Sequence, residues 1–291
     1  MGLQGYNRSQ HYQVKPSSPS KVERLTVATV QMTSVPDVVK NLKQIEYTLA
    51  KLKRESVDLV CFPEVCHQIR ESKQELFVFE EEDVWFTRLS ELALEGKFAI
   101  HLGSVALKQG DQTFNSSVWV TDEGKISFPY QKIHLFDLDI PGQITLMESD
   151  VFSPGSTPST TEVKGWHLGL SICYDLRFSE LYSRYAEKEV DLVMIPSAFT
   201  VPTGAAHWDI LVRARAIESQ CFVVAAAQCG KHHATRASYG HSLVVDPWGE
   251  VIWRASQDQP AVGIFSLDSS KIAEVRKRLP MARHRRLNFR N

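Results

Sequence analysis

The chain has 291 residues, 43% hydrophobic and 23% charged, with a formal net charge of −1. This is enough apolar material for one large or two ordinary domains. The near-zero charge excludes binding to nucleic acid or an anionic membrane through overall electrostatics, and no apolar run reaches the length of a bilayer span.

Residues 1–23 are polar and Ser/Pro-bearing, with no apolar signal region, and read as a disordered N-terminal extension before a domain over 24–291. Residues 24–32 alternate and are β-branched, which predicts a strand. In residues 37–54, Val38, Leu42, Ile45, Leu49 and Leu52 recur at helical spacing. Residues 58–62 form a short apolar strand closed by Pro63 and Glu64. The result is a β-α-β opening, with parallel strands and a right-handed crossover. Glu64 ends an apolar strand, where layered α/β proteins form clefts; a solvated loop glutamate is the alternative.

A second helix is expected over residues 80–95 and a strand over 98–105. Residues 114–120 and 126–131 read as a hairpin around Asp122-Glu-Gly-Lys125. Lys132 follows it directly, either as a cation for a developing oxyanion or as an ordinary strand-end lysine. A Pro/Gly-bearing loop then carries Glu148 and Asp150.

In Trp166-His-Leu-Gly-Leu-Ser-Ile-Cys173-Tyr-Asp-Leu-Arg-Phe-Ser-Glu180 an apolar strand turns into a helix, with Ser179 as its N-cap, running to about Lys188. Cys173 stands at that elbow. It reads as a presented nucleophile, favoured by nearby backbone N–H groups, or as a buried structural cysteine. Residues 191–199 repeat the pattern of 58–64, which suggests two similar halves packed together. A helix over 204–219, a buried strand over 221–227, a hairpin over 240–246 and 250–253, a strand over 261–266 and a short helix over 268–278 follow. His232-His233 near Cys229 reads as a surface loop rather than a metal site. The basic C-terminus reads as an arm on a partner subunit or a solvated tail. Five cysteines without Cys-x-x-Cys spacing fit a reducing, cytoplasmic setting.

Phe62-Pro-Glu64, Tyr130-Gln-Lys132-Ile-His134, Glu148 and Cys173-Tyr-Asp, in this order and spacing, resemble the nitrilase superfamily of carbon–nitrogen hydrolases. Lys132-Ile-His-Leu-Phe-Asp, Gly204-Ala-Ala-His-Trp and Ala225-Ala-Ala-Gln-Cys-Gly-Lys-His-His233 are similar to its branch holding deaminated glutathione amidase and ω-amidase. The sequence departs from that branch at Ser179 and Ala205, where relatives often carry proline. The resemblance implies an α/β fold, a four-layer α-β-β-α sandwich, usually dimeric or larger. It implies a catalytic set of Glu64 (general acid/base), Lys132 (oxyanion), Cys173 (nucleophile) and Glu148 (positioning), with the Tyr174 backbone N–H as a second oxyanion donor. It implies no cofactor, no metal and no nucleic-acid or membrane partner. The expected activity is amide hydrolysis through a thioester, on deaminated glutathione or, as the alternative, on 2-oxoglutaramate or 2-oxosuccinamate. For an anionic substrate, Arg177, Phe199 and Thr200 are the candidate contacts; an internal ion pair is the alternative for Arg177. His134 and His207 are then structural rather than catalytic.

Overall fold

The computed structural model describes residues 21–71, 74–140 and 144–287. Residues 1–20 of the expected N-terminal extension lie outside the described residues. Residues 21–23 dock on the body: Lys21 pairs with Asp191 at 2.5 Å, and Trp166 Nε1 donates to the Val22 carbonyl at 3.0 Å.

The first half runs β1 (Arg24–Gln31), α1 (Val38–Leu52), β2 (Leu59–Cys61), α2 (Val84–Gly96), β3 (Ala99–His101), β4 (Val105–Gln109), β5 (Gln112–Val120) and β6 (Ile126–Gln131). A short ladder of β7 (Asp137–Ile140) and β8 (Ile144–Met147) and a single 3₁₀ turn at Glu148–Asp150 follow. The second half runs β9 (Thr160–Val163), β10 (Trp166–Leu170), α3 (Ser179–Glu187), β11 (Leu192–Met194), α4 (Val201–Ser219), β12 (Phe222–Ala225), β13 (Cys229–His233), β14 (Arg236–Tyr239), β15 (Leu243–Val245), β16 (Val251–Arg254), β17 (Ala261–Asp268), α5 (Ser269–Arg278) and α6 (Met281–His284).

Two sheets result. The first has the order β17-β1-β2-β3-β5-β4, with β6 beside β5; the second has the order β16-β15-β12-β11-β10-β9. In each, three central strands are parallel (β1, β2, β3 and β10, β11, β12) and the flanking strands antiparallel. The two halves are therefore built alike, as the repeated sequence pattern suggests.

Alternation along the strands assigns the layers. Leu25, Val27, Leu59 and Cys61 share one apolar core with Leu168, Leu170, Met194 and Val224 of the second sheet. Ala28, Val30, Val60 and Ile100 point the other way, onto Ile45, Leu49, Phe86 and Leu89 of α1 and α2. Tyr182, Tyr185, Trp208 and Ala216 cover the second sheet from α3 and α4. The architecture is the four-layer α-β-β-α sandwich. Helix starts are set locally: Asp37, Asp83 and Asp268 cap α1, α2 and α5 by accepting from backbone N–H groups of the first turn.

Several local expectations are corrected. The strand expected over 98–105 is two strands, broken at Gly103. There φ is +37°, and a Cβ would stand 2.3 Å from the Phe62 and Pro63 carbonyl oxygens, so the chain must bend to let the Glu64 turn pass. The loop after Lys132 holds the β7–β8 ladder rather than irregular chain alone. Ser179 is the first helical residue of α3 rather than its cap; Phe178 takes the cap position with no side-chain bond. His232 and His233 lie on the β13–β14 hairpin, and His232 is buried between the Ser34 carbonyl and the Ser238 hydroxyl, 2.8 Å from each. Within the basic C-terminal stretch, Arg285 packs back on its own chain, donating to the Ser183 carbonyl at 3.3 Å. Among the described residues no helix is long and apolar enough to cross a membrane.

Candidate active site

The C-terminal ends of the parallel strands in the two sheets converge, and each delivers a strained turn. After β2, Phe62-Pro63 leads to Glu64, and Val65 adopts φ +44°. After β10, Cys173 itself adopts φ +48°. Such values are uncommon for any residue with a side chain and are genuine outliers for a β-branched one. Both turns are held from several directions. The Val65 N–H donates to Ser104 Oγ at 2.9 Å, Cys66 N–H to the Ser104 carbonyl at 3.2 Å, and Gln228 Nε2 to the Glu64 carbonyl at 3.0 Å. The Cys173 N–H donates to the Pro196 carbonyl at 2.9 Å.

Asp175, fully buried, locks the elbow after Cys173. Its carboxylate accepts from the Ile172 N–H (2.9 Å), Tyr130 Oη (2.7 Å), the His134 N–H (3.0 Å) and His134 Nδ1 (2.7 Å). The His134 ring lies flat on Phe178, with centroids 3.6 Å apart. His134 thus joins the strand end carrying Lys132 to the elbow carrying Cys173, a structural role.

Lys132 enters the site at the end of β6. Its ammonium is 2% exposed and contacts Glu64 Oε1 at 2.7 Å, Glu148 Oε2 at 2.7 Å and Glu148 Oε1 at 3.0 Å. Burial alone would push this ammonium down; the charges of Glu148 and then Glu64 outweigh it and hold the group well above its ordinary value, fully protonated. The 3₁₀ turn that follows β8 brings Glu148 inward, and its Oε2 also accepts from the Phe136 N–H at 2.7 Å. Burial raises the Cys173 thiol well above its ordinary value and the Glu64 charge adds to this, while Lys132 and the Ala198 backbone pull the other way. The balance favours the thiol form of Cys173 over the thiolate.

The structure brings Glu64, Lys132, Glu148 and Cys173 together. The Tyr174 N–H lies in the first turn of the 3₁₀ segment Cys173–Arg177, where N–H groups find no partner within the helix itself. The Tyr174 ring packs on Phe136 (5.0 Å) and Phe178 (5.3 Å). Arg177 is half-buried, with its guanidinium 5.7 Å from the Tyr174 ring centre and 5.3 Å from that of Phe199; Nη1 donates to His207 Nδ1 at 3.1 Å. These aromatic and imidazole partners replace the internal ion pair considered for it. Phe199 is buried against Trp208 at 4.9 Å. Thr200 starts α4, and its hydroxyl meets that of Thr203 at 2.8 Å. Gly204, in the first turn, lies against Tyr239 of β14, where a Cβ would come within 2.3 Å of the ring.

Asn115 was not singled out by the sequence. It lies on β5, and its side-chain amide donates to both Glu64 Oε1 (3.1 Å) and Glu148 Oε1 (2.9 Å). The available signal was a polar residue on the inward-alternating face of Phe114-Asn-Ser-Ser-Val-Trp-Val120, in phase with Trp119.

A family model for carbon-nitrogen hydrolases matches residues 26–277. The Mus musculus protein named deaminated glutathione amidase is 38% identical over 278 residues, covering 93% of this chain and 86% of its own length. The Homo sapiens Omega-amidase NIT2 is 39% identical over 199 residues, 68% of this chain and 72% of that one. Among solved structures, Saccharomyces cerevisiae Nit3, a member of branch 10 of the nitrilase superfamily, superposes with a TM-score of 0.81 at 30% identity, covering 93% of this chain and 100% of its own.

Proposed function

From its membership of the carbon–nitrogen hydrolase family, we propose that this chain is a thiol amidase that releases ammonia from deaminated glutathione. The observation that carries the chemistry is the Lys132 ammonium lying 2.7 Å from both Glu64 and Glu148, with Glu64 and Lys132 both acting on the Cys173 thiol. Glu64 takes the thiol proton as Sγ attacks the amide carbon. The Tyr174 N–H and Lys132 stabilise the oxyanion. Lys132 has three N–H donors for three carboxylate contacts, so its share in the oxyanion comes from its longest contact, Glu148 Oε1 at 3.0 Å. The intermediate collapses with C–N cleavage, Glu64 hands its proton to the leaving nitrogen, and ammonia departs from a Cys173 thioester. Water then attacks the thioester with Glu64 as base. The C–S bond breaks, Sγ recovers its proton from Glu64, and the carboxylic acid is released.

Arg177, stacked between Tyr174 and Phe199, suits the anionic end of such a substrate, with Thr200 beside it. The likeness to the human protein named omega-amidase supports a second reading, hydrolysis of 2-oxoglutaramate or 2-oxosuccinamate. The test compares kcat/KM for the two substrate classes and traps the adduct. Deaminated glutathione should be preferred and its acyl group found on Cys173 by mass spectrometry; preference for the small keto-acid amide selects the second reading.

The proposal extends to a homodimer or larger homo-oligomer in the cytoplasm. Ile210 and Ile217, exposed on the outer face of α4, support self-association, and five unpaired cysteines support a reducing compartment. Sedimentation and fractionation test these. The proposed division into an N-terminal extension and a domain over 24–291 is tested by deleting residues 1–20, which should leave kcat unchanged.

A further inference from the structure

We propose that Asn115 is a positioning residue that gives the two oxygens of Glu64 separate duties: Oε1 is anchored and Oε2 carries the proton. This rests on the amidase reading of the site.

The hairpin register puts Asn115 in place. Ser116 pairs with Gln131, so Asn115 falls opposite Lys132, and its own carbonyl accepts the Lys132 N–H at 2.9 Å. One residue therefore holds the Lys132 backbone and, through its side chain, both acidic partners of the Lys132 ammonium. Glu64 Oε1 receives Lys132 Nζ at 2.7 Å and Asn115 Nδ2 at 3.1 Å, whereas Oε2 receives no N–H donor among the described residues. A carboxylate oxygen already taking two donors is a poor proton acceptor; its unoccupied twin is the competent one.

Glu148 is the contrasting case. It takes four hydrogen bonds, two from Lys132 Nζ, one from Asn115 and one from the Phe136 N–H, spread over both oxygens. It has no oxygen left for proton transfer and acts only as fixed charge. Two glutamates around one lysine thus acquire different functions from how many donors each receives, and Asn115 is common to both.

The orientation of the amide is dictated by its neighbours. With the group reversed, its carbonyl oxygen would face two carboxylates. In the orientation present, Asn115 Oδ1 is buried without a partner. A chain that leaves a buried carbonyl unpaired to aim an NH₂ group at two anions is favouring the site over the fold.

The test uses Asn115→Leu, close in shape but unable to donate, and Asn115→Asp, which adds a third carboxylate. Two rates are measured: kcat for deaminated glutathione and alkylation of Cys173 by iodoacetamide, followed by mass spectrometry of the Cys173 peptide. Loss of the hydrogen bond to the Glu64 carboxylate predicts a fall in kcat of about 10- to 100-fold for Asn115→Leu, with KM within about twofold and alkylation slowed in parallel. Asn115→Asp should fall further. Both are normalised to the fraction of Cys173 that can be alkylated to completion, which removes any loss of folded protein. If Asn115→Leu does not accumulate as folded protein, Asn115→Asp and Asn115→Ser decide. Normalised kcat and alkylation within about twofold of wild type in the folded variants, or a raised KM at unchanged kcat, overturns the proposal. If the wild-type protein turns over neither amide class, the amidase reading fails while the alkylation rates still decide the role of Asn115.

Discussion

Glu64 follows β2 of the first sheet and Gln228 follows β12 of the second, yet the Gln228 side-chain amide donates to the Glu64 carbonyl at 3.0 Å. The same side chain accepts from the Ser34 N–H at 2.9 Å and donates to Ser34 Oγ at 2.8 Å, so a single buried amide ties the Glu64 turn to the second half. Replacing Gln228 with Leu leaves the Glu64 carbonyl and the Ser34 N–H unpaired. The expected cost is about 2–6 kcal/mol of stability, each of the two orphaned groups contributing about 1–3. The expected kinetic effect is a lower kcat, because the base loses its anchor. Urea denaturation and steady-state ammonia release read the two effects separately.

The Lys132 ammonium neutralises two buried carboxylates. Lys132→Met should destabilise the protein by about 3–5 kcal/mol, the cost of leaving buried charge uncompensated, and lower kcat by about 10²–10³ through the oxyanion. Adding Glu148→Gln to Lys132→Met removes one of the stranded charges. Stability should return in part, since Glu64 remains buried without its cation, while activity does not. A double variant no more stable than the single one would refute the electrostatic account of the cage.

Val65 holds φ +44° directly after Glu64. Glycine adopts that conformation freely, so Val65→Gly should relieve backbone strain of about 1–2 kcal/mol, offset in part by the entropy of a more flexible unfolded chain. The loosened turn should cost kcat. A denaturation midpoint at or above wild type, together with a lower kcat, is the expected pair of results.

Three buried histidines make the fold sensitive to acid. Burial pulls His67 and His232 down to about 4 and His101 to about 3, from 6.5. In each case the folded state binds the proton less readily than the unfolded state. The stability they contribute is complete above pH 6.5 and is lost as pH falls through 6.5 toward 4 and 3. At the other end, burial pushes Cys66 and Cys221 from 9.0 up to about 12. Their contribution is complete below pH 9 and is lost as pH rises from 9 toward 12. Denaturation midpoints across pH should form a plateau with falls on both sides. His101→Asn should reduce the acid-side slope.

Arg177 faces aromatic rings and His207. Arg177→Met should raise KM for an anionic amide by about tenfold or more, the loss of a charge-assisted contact, with a smaller effect on kcat. A matching rise for a neutral amide of similar size would mean that Arg177 serves the fold instead.

The sequence showed the layered plan through its periodicities, since strand alternation and helical spacing are local properties. It showed Glu64 and Cys173 because each ends an apolar strand that a reader can see. Asn115 was hidden because its partners, Glu64 and Glu148, are 51 and 33 residues away; only the assembled sheet brings them together. The break at Gly103 was missed for the same reason: the carbonyls that forbid a side chain there belong to Phe62 and Pro63, in the turn after β2. Ser179 misled because it is a good capping residue by type, while the cap position is set by how Asp175 ends the preceding turn, accepting the Phe178 N–H through its carbonyl.

The likeness of the two halves has one more implication. Glu64, Lys132 and Glu148 precede the second sheet in the chain, and Cys173 lies within the second half. On the proposed mechanism, neither half holds both the thiol and the acid–base apparatus that deprotonates it. A chain in which only one sheet has formed, or in which the two have met out of register, has no route to a thioester. Ammonia release is therefore a readout of assembly as well as of chemistry, and during refolding its onset marks the moment the two sheets close on each other.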